Sequence, residues 1–444
     1  MPAFVFPGQG SQRPGMGRAW VDHPSWELVA DASAAAGRDL ERLLVDAGED
    51  ELIETRNAQL ATFTIGLLVL DAVERLGIEP TSCAGHSVGE YTALVAAGAL
   101  SFDDGVRVVT ERGEAMQAAA DAGPGCMTLL AGCDDETARI ACQLADGAVW
   151  VGNYNTPDEV VLAGEVDAVA RAAQVARTMS GAGVTRLKVG GAFHTPLMAP
   201  ARNRLRKALA ATTFHEPEVP VVANVDSLSH IAAEEWDVLL RAQLVSPVRW
   251  RQSVARLAGL VGDVTRGEQL FVEVGPGGSL SSMVRRTVPG VTTVAVAAPD
   301  DLDRLVDAVA GDTALHAFAA GHQGEHLYVS ERMVISPSAG VFQPAAASDA
   351  PAARHAPDAR DASEASDAKE ASDAEEANDA KNAHEPGRVR ETGPGSQVDV
   401  GTLVGTVSGT EVRSAFSGTL MGMLAQPGER VQSGQPIAWL RAGC

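Results

Sequence analysis

The sequence predicts an α/β fold with a mainly parallel sheet, a small inserted α+β subdomain and a separate C-terminal β-module. Three observations carry this. Short apolar runs alternate with longer helical patterns from Met1 to about Ala298; a cluster of shorter strand and helix signals fills 123–188; and a weak internal repeat flanks an acidic tract near the C-terminus. At 444 residues, with 45% hydrophobic and 21% charged residues, the chain resembles an ordinary folded protein of two to four domains of about 150 residues each.

The first strand is the apolar run AFVF at residues 3–6, followed by helical patterns at Leu60 to Arg75, Val88 to Ala97 and Phe102 to Ala120. Strand signals at Met127 to Leu130, Ala148 to Val151 and Val160 to Ala163, with helices at Asp135 to Leu144 and Val166 to Met179, give the small subdomain its strand and helix order. A further strand is expected at Val184 to Val189.

From 344 to 394 Ala, Asp, Glu and Ser dominate, and a six-residue unit recurs as ASDAKE, ASDAEE and ANDAKN from residue 365. No aromatic or branched aliphatic residue occurs between Ala345 and Arg388, so this tract is expected to be a disordered spacer. Val334 to Phe342 (VISPSAGVF) is similar to Val412 to Leu420 (VRSAFSGTL), and Gly395 to Leu403 (GSQVDVGTL) to Gly428 to Pro436 (GERVQSGQP). That two-fold pattern resembles the biotinyl/lipoyl carrier fold, spread over 326–343 and 395–444. Such a carrier needs a lysine at a hairpin tip, here Val407 to Glu411 (VSGTE), yet the chain's four lysines are Lys188, Lys207, Lys369 and Lys381. No biotin or lipoate is therefore expected; a docking or assembly role for the module rests on fold analogy alone.

The net charge of −23 argues against nucleic acid or an anionic membrane as partner. Five cysteines without a CxxC pair fit reduced thiols, and a cytoplasmic location is expected. Met1 to Phe6 has neither a basic region nor a small-residue cleavage site, so no signal peptide is expected. The longest apolar stretch, Leu60 to Leu70, is about half the roughly 20 residues that span a bilayer, and reads as a buried helix. His316, His322 and His326 lack the spacing and carboxylates of a metal site; no metal is expected.

Two segments carry chemistry. Gly85 to Gly89 (GHSVG) is G-x-S-x-G between a strand signal and a helix, the pattern of a sharp turn that presents Ser87 beside helix N-terminal N–H groups. His194 lies on a glycine-rich loop after the strand at 184–189, where a base could be carried. On their own the first also fits a chance loop and the second a structural histidine. His86 reads as packing beside the turn.

Six motifs settle the resemblance: FPGQGSQ at 6–12, GHSVGEY at 85–91, ERGEAMQ at 111–117, GAFHTPLM at 191–198, QLVSPVRW at 243–250 and EVGPG at 273–277. In this order, from Met1 to about Thr287, they resemble the acyl carrier protein S-malonyltransferase (malonyl-CoA transacylase) family. The resemblance implies an α/β-hydrolase-like core over 1–122 and 189–300, a ferredoxin-like subdomain at 123–188 and a helical connector at 301–325. It implies malonyl-CoA as substrate, an acyl carrier protein as partner and no bound cofactor. By resemblance Ser87 is the nucleophile, His194 the base and Gln243 the residue whose main-chain carbonyl orients it; Gln9 and Val88 supply oxyanion N–H groups. Arg112 pairs with the malonyl carboxylate, with Met116 and Phe193 beside the acyl group.

A guanidinium can hold that carboxylate through two parallel hydrogen bonds, which an acetyl group cannot offer. Phe193 is expected to disfavour a 2-methyl branch by about 1 to 3 kcal/mol. An acidic carrier needs local basic groups in this acidic chain: Arg186 and Lys188 before the histidine, Arg202, Arg204, Arg206 and Lys207 after it, and Arg285 with Arg286. Two other classes stay open, a serine acyltransferase or hydrolase for another acyl-CoA, and a non-catalytic docking protein. Arg112 speaks against the first, and the intact Ser87, His194 and Gln243 against the second.

Overall fold

In the computed structural model the apolar run near the N-terminus is β1 (Ala3–Phe6), which is buried at every position. The residues described are 2–261, 269–310, 331–338, 340–344, 396–398, 402–414, 418–431 and 436–441. They divide into two units, Met1–Val329 and Ser330–Cys444. From β1 the chain runs through α1 (Leu28–Ala36), α2 (Leu40–Val45), α3 (Glu49–Ile53) and α4 (Thr55–Glu74) to β2 (Ser82–Gly85), which pairs with β1 in parallel. Helix α4 starts at Thr55, before its apolar run. It is buried along nearly its whole length, polar Asn57, Gln59 and Asp71 included, because α5 (Gly89–Ala96) and α6 (Phe102–Ala122) pack against it.

The chain then builds a second layer: β3 (Cys126–Ala131), α7 (Asp135–Leu144), β4 (Val149–Thr156), β5 (Glu159–Gly164), α8 (Val166–Ser180) and β6 (Gly183–Arg186). Its strands form an antiparallel sheet in the order β4-β5-β3-β6. Leu130, Val160 and Leu162 face alanines of α7 and α8, whereas Met127, Val161 and Ala163 join the main core. Strand β4 continues to Thr156 through Gly152, Asn153 and Asn155, a glycine and two asparagines that do not read as a strand. Cross-strand pairing with β5 and a bridge from Asn153 to Val248 supply the missing drive. Strand β6 stops at Arg186 and not at Val189; the chain leaves the sheet there to carry His194 inward.

After α9 (Arg202–Ala210) come β7 (Val221–Val222), β8 (Ser229–His230), α10 (Trp236–Gln243), α11 (Trp250–Leu260), β9 (Leu270–Val274), α12 (Ser279–Thr287), β10 (Thr292–Val296) and α13 (Asp301–Ala310). The main sheet has the order β10-β9-β1-β2-β7-β8 and is parallel except for β8. Strand alternation sends Phe4 and Phe6 to one core and Ala3 and Val5 to another, with Trp250, Val254 and Leu280. Buried Glu273 accepts the N–H groups of Leu280 at 3.1 Å and Ser281 at 2.7 Å, fixing the start of α12.

The second unit contains β11 (Glu331–Ile335), β12 (Gly340–Pro344), β13 (Gln397–Val398), β14 (Leu403–Val407), β15 (Thr410–Arg413), β16 (Gly418–Met423), β17 (Arg430–Val431) and β18 (Pro436–Arg441). These form two four-stranded sheets, β11-β18-β16-β13 and β15-β14-β12-β17, around Phe342, Val404, Leu420, Ile437 and Leu440. The hairpin between β14 and β15 turns at Ser408 and Gly409, both with positive φ. The acidic tract from Ala345 and the histidines at 316, 322 and 326 lie outside the described residues. Among those described, no helix is long and apolar enough to cross a membrane, and no acidic, histidine and cysteine cluster could hold a metal.

Strands β11 and β12, which precede the acidic tract, pair with strands that follow it. A chain ending at Gly324 keeps every described residue of the first unit and should stay monodisperse. One ending at Ala365 leaves β11 and β12 without partners and should aggregate. Light scattering on both truncations checks this; a well-behaved Ala365 truncation would contradict it.

Candidate active site

The site is built where β2 turns into α5. A Cβ on Gly85 would lie 1.9 Å from the carbonyl of Gly89, so only glycine lets strand and helix approach this closely. The turn places Ser87 at φ 55°, in left-handed backbone that a non-glycine residue seldom occupies. His194 is held similarly, at φ 60°. Both are buried, and backbone strain of this kind concentrates where surrounding contacts over-determine the geometry.

Those contacts are specific. Asn224, in the segment after β7, accepts the N–H of Ser87 at 2.8 Å and donates to the carbonyl of Gly85 at 2.7 Å. Ser87 Oγ is 2.7 Å from His194 Nε2, and His194 Nδ1 is 3.0 Å from the main-chain oxygen of Gln243 at the end of α10. A carbonyl only accepts, so Nδ1 carries the proton and Nε2 is free to take the serine's. Burial, aided by the charge of Arg112, holds the His194 pKa down to about 3. The imidazole is therefore neutral in the free protein near pH 7.

Arg112 on α6 is fully buried. Its Nη2 donates to Ser87 Oγ at 3.1 Å and to Gln243 Oε1 at 2.9 Å, and its Nη1 to Gln59 Oε1. Its Nε has no partner, and among the described residues it forms no ion pair with a carboxylate. The Tyr91 ring lies 5.4 Å below the guanidinium. A charge so placed, with neutral partners only among the described residues, can receive an anion beside the serine hydroxyl. Met116 Sδ accepts from Gln59 Nε2 at 3.2 Å, and Phe193 is buried. Gly8 is pressed against the carbonyl of His86, which sets Gln9 beside the turn with its Nε2 buried and without a partner. Val88 stands at the N-cap of α5.

His86 does not reach the reacting atoms: it contacts Asn155 Oδ1 at 3.2 Å and packs edge-on to Trp250. The basic residues are spread over the surface. Arg186, Arg202, Arg206, Lys207 and Arg285 are exposed, Lys188 pairs with Glu49, Arg204 with Glu111, and Arg286 with Asp158 and Glu159.

Sequence reasoning missed Gln59, Asn224 and Glu90. Glu90 follows Ser87 by three residues and is 1% exposed. It accepts the N–H of Asn224 at 3.1 Å and the side-chain amide of Gln243. Its presence in GHSVGEY was a signal, but burial of the carboxyl was not.

Residues 3–315 match the acyl transferase domain family. The malonyl CoA-acyl carrier protein transacylase of Bacillus subtilis is 36% identical over 311 residues, 68% of this chain and 95% of the relative. That of Escherichia coli K12 is 38% identical over 302 residues, 67% of this chain and 96% of the relative. The crystal structure of MCAT from Streptococcus pneumoniae superposes with a TM-score of 0.64 at 36% identity, covering 69% of this chain and all of that one. A type II PKS acyl-carrier protein in complex with its malonyl-transacylase matches with a TM-score of 0.65 at 35% identity, over 69% of this chain and 99% of that one. Because such matches span nearly the whole of each relative, the chain belongs to the acyl transferase family, among the malonyl CoA-acyl carrier protein transacylases.

Proposed function

We propose that the chain transfers malonyl from malonyl-CoA to the phosphopantetheine thiol of an acyl carrier protein, supplying fatty-acid or polyketide synthesis. The observation that carries this reading is the buried Arg112 guanidinium on the Ser87 hydroxyl, with no carboxylate among the described residues paired to it. Malonyl supplies that carboxylate. Ser87 Oγ attacks the thioester carbonyl while His194 Nε2 takes its proton. The N–H groups of Val88 and Gln9 receive the oxyanion, and the collapsing intermediate expels the CoA thiolate, which takes the proton from His194. The carrier thiol then runs the same steps in reverse.

An acidic carrier would meet Arg186, Arg202, Arg206, Lys207 and Arg285; Lys188 and Arg286 are already ion-paired and would contribute less. We read β3 to β6 with α7 and α8 as the ferredoxin-like subdomain, on its strand order, and the second unit as a biotinyl/lipoyl-like module without a lysine, suited to docking another protein. A cytoplasmic location fits these substrates.

Three outcomes test the reading. Malonyl-CoA without a carrier should leave a malonyl ester on Ser87, visible by intact-protein mass spectrometry and absent in Ser87→Ala; an ester on another residue would remove the assignment. Arg112→Ala should lose about 1.5 to 3 kcal/mol, roughly 10- to 150-fold in kcat/KM for malonyl-CoA, without a matching fall for acetyl-CoA. An equal fall for both would make the arginine structural. Because His194 stays neutral down to about pH 3, kcat/KM for acylation should show no acid limb near pH 6.5, where an ordinary histidine titrates. The same depression means the unfolded chain binds this proton first as pH falls below 6.5, so His194 lowers stability between there and its folded pKa.

A further inference from the structure

Glu90 is a buried titratable group that the chemistry above does not use. It sits in the first turn of α5, three residues after Ser87, so its side chain returns beneath the turn that presents the nucleophile. There one oxygen accepts the backbone N–H of Asn224, the residue that pins the backbone of Ser87 and Gly85. The other accepts Gln243 Nε2, which also donates to the Ser87 carbonyl at 2.9 Å. The opposite end of that amide, Gln243 Oε1, accepts from Arg112. One amide thus bridges a buried guanidinium and a buried carboxyl, and the main-chain oxygen of the same residue orients His194.

We propose that Glu90 is a positioning residue of this site: through the Gln243 amide it fixes the base and, by gaining or losing its own proton, sets how strongly Arg112 receives an anionic acyl group. The inference rests on malonyl as the acyl group. The titratable and charged groups that bear on Glu90 are Arg112 from α6, Asp226 from the segment after β7 and its neighbour Tyr91. Burial, with a smaller push from Asp226, raises its pKa to about 8, while the two donors and Arg112 oppose the rise. Protonated, Glu90 leaves the Arg112 charge to the substrate; ionised, it competes with the malonyl carboxylate for that charge across the shared amide. By reciprocity, malonyl bound to Arg112 must raise the proton affinity of Glu90 by the same factor.

The test is single-turnover acylation of Ser87 in the full chain from pH 6.5 to 9.5, with malonyl-CoA and with acetyl-CoA. The half-saturating concentration of malonyl-CoA should rise about fivefold or more through pH 8, with a smaller change in the limiting rate, whereas that of acetyl-CoA should not. Glu90→Gln, which cannot ionise, should flatten the malonyl-CoA profile. A purely structural role would lower the rate at every pH and leave the limb in place, overturning the proposal, as would the same limb with acetyl-CoA. If Glu90→Gln does not fold, Ser87→Ala offers a second route. Malonyl-CoA binding should take up protons between pH 7.5 and 9, read by calorimetry in two buffers of different ionisation heat, and the absence of uptake overturns the proposal. Failure of the wild-type protein to form any Ser87 ester would instead sink the malonyl-transfer reading itself.

Discussion

A guanidinium buried with no carboxylate paired to it among the described residues is the constraint on which the site depends. Removing a charge from water costs several kcal/mol, and here the compensation is a ring of neutral acceptors and an aromatic face. Those acceptors are the Ser87 hydroxyl, the side-chain amide of Gln243, whose main-chain oxygen meets His194, and the amide of Gln59 from α4. The solvation of Arg112 and the alignment of the nucleophile are therefore the same set of hydrogen bonds.

The fold explains how so many polar groups can converge in an apolar interior. Ser87 comes from the end of a central strand, Arg112 from α6, Gln59 from α4, His194 from a loop leaving the second sheet and Gln243 from the end of α10. Each element buries an apolar face of its own, so each side chain enters with its rotamer already restricted by packing. Asn224 and Glu90 then tie the segments to one another, holding left-handed backbone at Ser87 that would otherwise relax.

The same logic separates the second unit from the chemistry. Its strands satisfy one another in two sheets around their own core, and no residue of the described site comes from it. The hairpin tip between β14 and β15 turns on Ser408 and Gly409 in left-handed backbone.

Much was legible in the sequence because motif residues report backbone constraints directly. Glycines at 85 and 89 announce a tight strand-to-helix turn, and the alternation of apolar runs announces a parallel sheet. Ser87, His194, Arg112 and Gln243 could be named from their segments. What the sequence could not supply were facts that depend on which distant segments meet. The polar stretch of β4 becomes a strand only through pairing with β5 and Val248. The carboxyl of Glu90 is buried only because α6, α10 and the segment after β7 close over it, and the histidine is held neutral only because the same closure excludes water beside Arg112. Sequence determined which groups are present and the local backbone that presents them. Tertiary structure decided their solvation, and with it their charge.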